Sequence, residues 1–153
     1  MKVSAIDTVT NKVDATIPVQ ANPHGVAYDP ANDEVYVANQ GFGTISIINT
    51  TTNTVMKNIT VGPNPEDVAY DPANGDMYTT VWGSNTVAII NGTTNSLITH
   101  VTVGSHPFGL AYDSTHKRMY ITNSFSNDMS VINATSNTVI GDTTLPVGNR
   151  PLG

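Results

Sequence analysis

The chain contains no cysteine, which removes disulfides, thiol nucleophiles and cysteine-based zinc sites, and leaves its redox compartment open. Charge is scarce as well. Only 12% of the 153 residues are charged, and 12 acidic residues outnumber 6 basic ones. A formal net charge of -6 argues against a surface that tracks phosphates, so nucleic acid is not expected as a partner. No apolar run approaches the ~18 residues that a membrane-spanning helix needs. The first residues, Met1 to Asp7, alternate like a strand and lack the apolar stretch of a signal peptide. No HExxH, GxSxG or acidic calcium loop of proper spacing occurs. Leu and Lys are few, whereas 22 Thr, 17 Asn and 17 Val favour strands and tight turns over helices. At 16.2 kDa the expectation is one domain or a piece of one.

The sequence repeats itself. Val26-Ala27-Tyr28-Asp29-Pro30 returns as Val68-Ala69-Tyr70-Asp71-Pro72 and as Leu110-Ala111-Tyr112-Asp113, each step being 42 residues. Ile45-Ser46-Ile47-Ile48-Asn49 obeys the same period at Val87 to Asn91 and Met129 to Asn133, and one step back lies Val3-Ser4-Ala5-Ile6-Asp7. The last repeat carries a two-residue insertion near Gly141 to Pro146. Each period holds four short apolar runs, in the first full unit near Gly25 to Asp29, Glu34 to Asn39, Thr44 to Asn49 and Thr54 to Val61, with turn chemistry between them. Four strands per ~42 residues, apolar on both faces, is the pattern of a β-propeller blade. Ala27, Ala69 and Ala111 fall in the first strand, nearest the crowded axis. A parallel β-helix, the rival repeat fold, runs at shorter periods and lacks the four-strand subdivision.

Glu34-Val35-Tyr36-Val37-Ala38-Asn39, Thr44 to Val55 and Ile59-Thr60-Val61-Gly62 resemble the YVTN-family β-propeller repeats of archaeal and bacterial surface-layer and secreted proteins. The tetrad that gives the family its name is imperfect, reading Tyr36-Val37-Ala38-Asn39, Tyr78-Thr79-Thr80-Val81 and Tyr120-Ile121-Thr122-Asn123. The resemblance implies an extracellular or cell-surface setting. It is specific for fold and far less so for function.

The expected architecture is all-β: a half blade over 1–25 and blades over 26–67, 68–109 and 110–153, or 14 strands in about three and a half blades. A closed ring takes 4 to 8 blades. Each open lateral face would leave ~400 Å² in water and forgo about 10 kcal/mol at most. Further blades, from the same or another chain, are therefore expected partners. The start and stop within the repeat read as a piece of a longer ring.

Loops leading into the innermost strand and loops joining the second and third strands should share one face of the disc. There Asn22, Asn64, His106 and Arg150 precede a proline and His24, Glu66, Phe108 and Leu152 follow it. The other loops bring Phe42, Trp82 and Phe125. Rings of this kind anchor a protein partner or a sugar, or else pack on the next blade. His24, Glu66, His106 and Arg150 form the one constellation resembling an active site, since two imidazoles and a carboxylate can ligate a metal or share acid and base duties. Nothing in the spacing fixes their separation, so no catalytic residue, metal or cofactor is assigned. His100 lies on an outer strand and His116 on the opposite face. Asp29, Asp71 and Asp113 read as turn caps and not as calcium ligands. Asn49, Asn58, Asn91 and Asn133 stand in Asn-x-Ser/Thr sequons and are glycosylation candidates in an exported chain.

These observations lead to a non-catalytic propeller scaffold binding a protein or glycan through its variable loops. The alternatives are a propeller enzyme of lyase, lactonase or quinoprotein type, with ionisable loop residues at the central channel, and a purely structural surface-array element.

Overall fold

The computed structural model describes residues 1–141 and 145–153. Its turns explain the abundance of Asn. In each period all four connections contain a residue at positive φ, a conformation that Gly and Asn reach at least expense. Asn11, Asn53, Asn95 and Asn137 hold it between the third and fourth strands, and Gly43, Asn85 and Asn127 between the second and third. Asp33, Gly75 and Lys117 hold it between the first and second. Asn22, Asn64, His106 and Arg150 hold it in the loops leading into each inner strand.

Between these turns the chain forms antiparallel meanders. β1 (Lys2–Asp7) and β2 (Lys12–Pro18) pair as a two-stranded half blade. The first full blade runs in order through β3 (Pro23–Asp29), β4 (Glu34–Asn39), β5 (Thr44–Asn49) and β6 (Thr54–Thr60). The second comprises β7 (Pro65–Asp71), β8 (Asp76–Val81), β9 (Thr86–Asn91) and β10 (Ser96–Thr102). In the third, β11 (Pro107–Asp113), β12 (Arg118–Asn123) and β13 (Asp128–Asn133) are followed by an outer strand in two pieces, β14 (Thr138–Val139) and β15 (Leu145–Pro146), both pairing with β13. The expected single fourteenth strand is thus divided. The insertion placed at Gly141 to Pro146 lies partly outside the described residues.

The first and second blades are buried on both faces because each face packs against a neighbour. Tyr36, Ala38, Ile45 and Ile47 of the first blade meet Met77, Val81, Ala88 and Ile90 of the second. Tyr78, Val87 and Ile89 of the second meet Met119, Ile121 and Ile132 of the third. Ile17 of the half blade packs with Val37 and Ile48. This explains why β4 reads as nearly continuous apolar sequence.

Polar latches tie the same interfaces at the disc face opposite the variable loops. The Tyr36 hydroxyl reaches the side-chain oxygen of Asn95 in the next blade, and Asn95 Nδ2 donates to both Glu34 carboxylate oxygens at 3.1 and 2.9 Å. One period later Tyr78 donates to Asn137 Oδ1 at 2.6 Å. Asn32 Nδ2 donates to the Gly92 carbonyl and Asn74 Nδ2 to the Ala134 carbonyl, both at 3.2 Å. Burial, reinforced by the Glu34 charge, pushes the Tyr36 hydroxyl far above the ordinary tyrosine range. Burial does the same at Tyr78. Asp29, Asp71 and Asp113 cap their turns by accepting from the backbone of Ala31, Ala73 and Thr115 at 2.8, 2.8 and 2.9 Å.

Candidate functional site

The loops leading into the inner strands and those joining the second and third strands do share a face, held by direct backbone bonds. Gln40, Trp82 and Ser124 donate their N–H groups to the carbonyls of Asn22, Asn64 and His106 at 2.9, 3.0 and 2.9 Å. Each inner strand then departs from regular pairing just after its proline. The register slips between Pro23 and Val26, between Pro65 and Val68, and between Pro107 and Leu110. A bulge of this kind frees two residues from the ladder and re-aims their side chains. The freed pairs are His24-Gly25, Glu66-Asp67 and Phe108-Gly109. In the second and third blades a threonine of the second strand takes up the freed backbone: Asp67 N–H donates to Thr80 Oγ1 and Gly109 N–H to Thr122 Oγ1, both at 3.0 Å. The Thr80 hydroxyl in turn donates to the Phe108 carbonyl at 2.6 Å, linking two blades.

The bulges bring His24, Glu66 and Phe108 together where the inner strands converge. Glu66 is only 3% exposed, and its Oε2 lies 3.2 Å from His24 Nδ1. Gln40 Nε2 donates to the other carboxylate oxygen at 2.7 Å. The His24 side chain is 47% exposed and meets the Phe108 ring edge to face at 6.0 Å. Gly25 makes the convergence sterically feasible, because a Cβ there would stand 2.5 Å from Asp67 Cα and 2.7 Å from the Glu66 carbonyl oxygen. Asp67, which occupies the glycine position of the second blade, accepts from its neighbour Val68 N–H at 2.9 Å and across the interface from Leu110 N–H at 3.3 Å.

A second cluster forms from the residues before the prolines. The His106 ring lies 4.1 Å from Trp82 and 4.1 Å from Phe125, the latter two rings are 6.1 Å apart, and the Arg150 guanidinium sits 5.5 Å over Phe125. Its geometry is fixed from below by Asn85 Oδ1, which accepts from His106 N–H at 2.9 Å, and by the Ser105 hydroxyl, 2.8 Å from His106 Nδ1. The constellation of His24, Glu66, His106 and Arg150 therefore divides in two. The first pair meets at the inner strands, while the second joins the aromatic stack. Phe42, 63% exposed, makes no ring contact among the described residues and borders a shallow groove with Gln40, Pro63 and Asn64. Leu152 is exposed, its carbonyl packed against Gly109.

The remaining candidates lie elsewhere. His100 Nε2 is 2.8 Å from the Val61 carbonyl on the outer strands, and His116 Nδ1 is 2.7 Å from Asp113 Oδ2 on the opposite face. Asn49, Asn91 and Asn133 occupy third-strand turns, where their side-chain oxygens accept from Thr52, Thr94 and Ser136 N–H at 2.9, 2.8 and 3.2 Å. Asn58 is exposed on β6 and accepts from the Ser46 hydroxyl at 2.6 Å. Among the described residues no three His, Asp or Glu side chains are grouped to hold a metal ion. None of their helices is long and apolar enough to cross a membrane.

Gln40, Asp67 and the two threonines were not singled out by the sequence as site residues. The signal for them was the interruption after each proline, where His24-Gly25, Glu66-Asp67 and Phe108-Gly109 break the apolar alternation that resumes at Val26, Val68 and Leu110.

Comparison with known proteins identifies the fold. The family model described as Arylesterase matches residues 9–149. It is a different family from the YVTN repeats that the sequence resembles. Kuenenia stuttgartiensis hydrazine synthase superposes with a TM-score of 0.83 at 21% identity, over 92% of this chain and 42% of its own. A dihydro-heme d1 dehydrogenase in complex with DHE superposes at 0.79 and 16% identity, covering 97% of this chain and 33% of its own. A functionally unknown protein from Desulfotomaculum acetoxidans gives 0.77 at 18% identity over 99% and 52%. The chain thus spans between a third and about half of these relatives. No curated protein matches it.

Proposed function

Because this chain belongs to the arylesterase family, we propose that its loop face binds a ring-bearing carboxylic ester and that His24 is the general base for its hydrolysis. The observation that carries this reading is the His24–Glu66–Gln40 arrangement, a half-exposed imidazole whose Nδ1 faces a buried carboxylate that is itself held by an amide. A base oriented by a third group is the recurring geometry of acyl transfer and hydrolysis. In the tautomer that carries its proton on Nδ1, 3.2 Å from Glu66 Oε2, Nε2 has the free lone pair. It removes a proton from water as the water oxygen attacks the ester carbonyl carbon. When the tetrahedral intermediate collapses, the departing alkoxide or phenoxide takes that proton back, giving acid and alcohol. Phe108, edge-on to His24, offers apolar surface for the leaving ring.

A second reading keeps the face and removes the turnover. The Trp82–His106–Phe125 stack under Arg150 favours a scaffold that holds a protein or glycan ligand, in line with the YVTN resemblance. One experiment separates the two. Phenyl acetate hydrolysis is measured for the wild type, His24→Ala, Glu66→Gln and Trp82→Ala. The esterase reading expects kcat to fall about a hundredfold or more in His24→Ala and less in Glu66→Gln, as for removal of a general base. Activity indifferent to both changes removes it. Absence of turnover, together with saccharide-array binding that Trp82→Ala abolishes, establishes the scaffold reading.

A further inference from the structure

The inner strand of the second blade carries a carboxylate that its bulge does not require. All three inner strands slip register at the same place, and the second residue of each freed pair is Gly25, Asp67 or Gly109. Two blades therefore form this bulge with no side chain at that position. The backbone is held alike with and without the carboxylate, since Asp67 N–H bonds Thr80 Oγ1 and Gly109 N–H bonds Thr122 Oγ1, both at 3.0 Å. Glycine in the first blade also leaves Asp67 its room, because a Cβ on Gly25 would stand 2.8 Å from Asp67 Oδ1.

Asp67 adds negative charge where a carboxylate is already present. It follows Glu66, whose Oε2 lies 3.2 Å from His24 Nδ1. Its own oxygens accept from backbone N–H groups, Val68 at 2.9 Å and Leu110 of the third blade at 3.3 Å, and it has no ion pair among the described residues. While His24 is neutral, as a general base must be, Glu66 and Asp67 together leave two formal negative charges without a cation where the inner strands converge. Arg150 belongs to the separate stack over Phe125. Glu66 is buried, but Asp67 is only half-buried and open to a ligand. Its field attracts cations to this face, and the net charge of -6 on the chain acts in the same sense. The Phe108 ring, 6.0 Å from His24, adds aromatic surface of the kind on which ammonium groups bind.

We propose that the ester taken at this face carries a cationic ammonium group, and that Asp67 is the residue that selects it. The inference rests on the hydrolytic reading of His24 and Glu66 and names the substrate class of that site. The ammonium supplies the positive charge that neutral His24 does not give to the two carboxylates. An uncharged ester of the same shape leaves Asp67 unpaired.

Two ring-bearing esters that differ by one charge test it: 3-(trimethylammonio)phenyl acetate and 3-tert-butylphenyl acetate. The wild type is expected to favour the cationic ester by about tenfold in kcat/KM, through KM and not kcat, with the ratio shrinking as sodium chloride is added. Asp67→Asn, and Asp67→Gly with the residue of the other two blades, bring the ratio to near one, while far-ultraviolet circular dichroism shows both variants folded. A ratio near one in the wild type overturns the proposal, and so does a preference that survives Asp67→Asn. Calorimetric binding of phenyltrimethylammonium, which is not hydrolysed, separates this outcome from failure of the esterase reading. If neither ester is turned over, that reading falls alone, and the cation should still bind the wild type at least tenfold more tightly than Asp67→Asn. Equal binding to both proteins, or none to the wild type, overturns the selection by Asp67.

Discussion

Ile90 and Ile6 hold the same place in the repeat, two periods apart, yet one is fully buried and the other 60% exposed. A smaller contrast of the same sign holds at Tyr36 and Tyr120, at Asp29 and Asp113, and at Tyr70 and Tyr28. In the interior, burial raises the Tyr70 hydroxyl above its ordinary range beside Asp29 of the previous blade. At the lateral faces the corresponding groups turn to local partners: Tyr28 donates to Asp33 at 2.8 Å and Asp113 pairs with His116. The His116 bond, with backbone bonds from the same turn, holds the Asp113 carboxyl below the usual carboxylate range. Repeat sequence therefore sets what each position is able to contact. The neighbouring blade decides what that contact contributes.

The largest expected difference is at the isoleucines. Ile90→Ala should destabilise the monomer by about 2–5 kcal/mol, since it opens a cavity between two blades, whereas Ile6→Ala should stay within about 0.5 kcal/mol. Urea unfolding at low protein concentration measures both, and equal losses would erase the distinction between interior and lateral positions.

Next come the tyrosines. Tyr36→Phe leaves Glu34 and Asn95 short of a donor in a buried site and is expected to lower stability by about 1–2 kcal/mol, while Tyr120→Phe leaves the monomer unchanged. Alkaline titration sharpens the comparison. Both Tyr36 and Tyr78 are raised in the folded state, so above about pH 10 the unfolded chain ionises first and stability falls with rising pH. Their absorbance change should therefore appear only with unfolding, later than that of the exposed tyrosines.

The smallest effect lies at Asp76. Burial, assisted by Asp71, raises its carboxyl, so the folded state favours the neutral form and loses stability as pH rises through the raised value. Asp76→Asn should melt slightly higher than the wild type at pH 7, with the gap closing below about pH 4, where both states of the wild type are protonated. Differential scanning calorimetry at the two pH values checks the sign.

The fold was legible because strand alternation and turn residues recur together every 42 residues and divide each period into four short strands. The site was legible only in part. Register placed His24 with Glu66 and Phe108, and His106 with Arg150, but merged the two sets because linear spacing carries no information on which side of a bulge a side chain leaves. The residue before each proline belongs to a left-handed loop, while the residue after it belongs to the inner strand, and that difference of backbone separates the aromatic stack from the His24–Glu66 pair. The tyrosine latches escaped notice for another reason. Tyr36 and Asn95 lie 59 residues apart, more than one period, so comparing equivalent positions never aligns them.

The bulge after each proline has one more consequence. Positions 24, 66 and 108 carry an imidazole, a carboxylate and a benzene ring while the pairing that resumes at Val26, Val68 and Leu110 keeps the same register in all three blades. The pairing register is therefore independent of which side chain stands there. Randomising these three codons would recode the face one blade at a time, as a display library is diversified, while the framework that presents them stays constant.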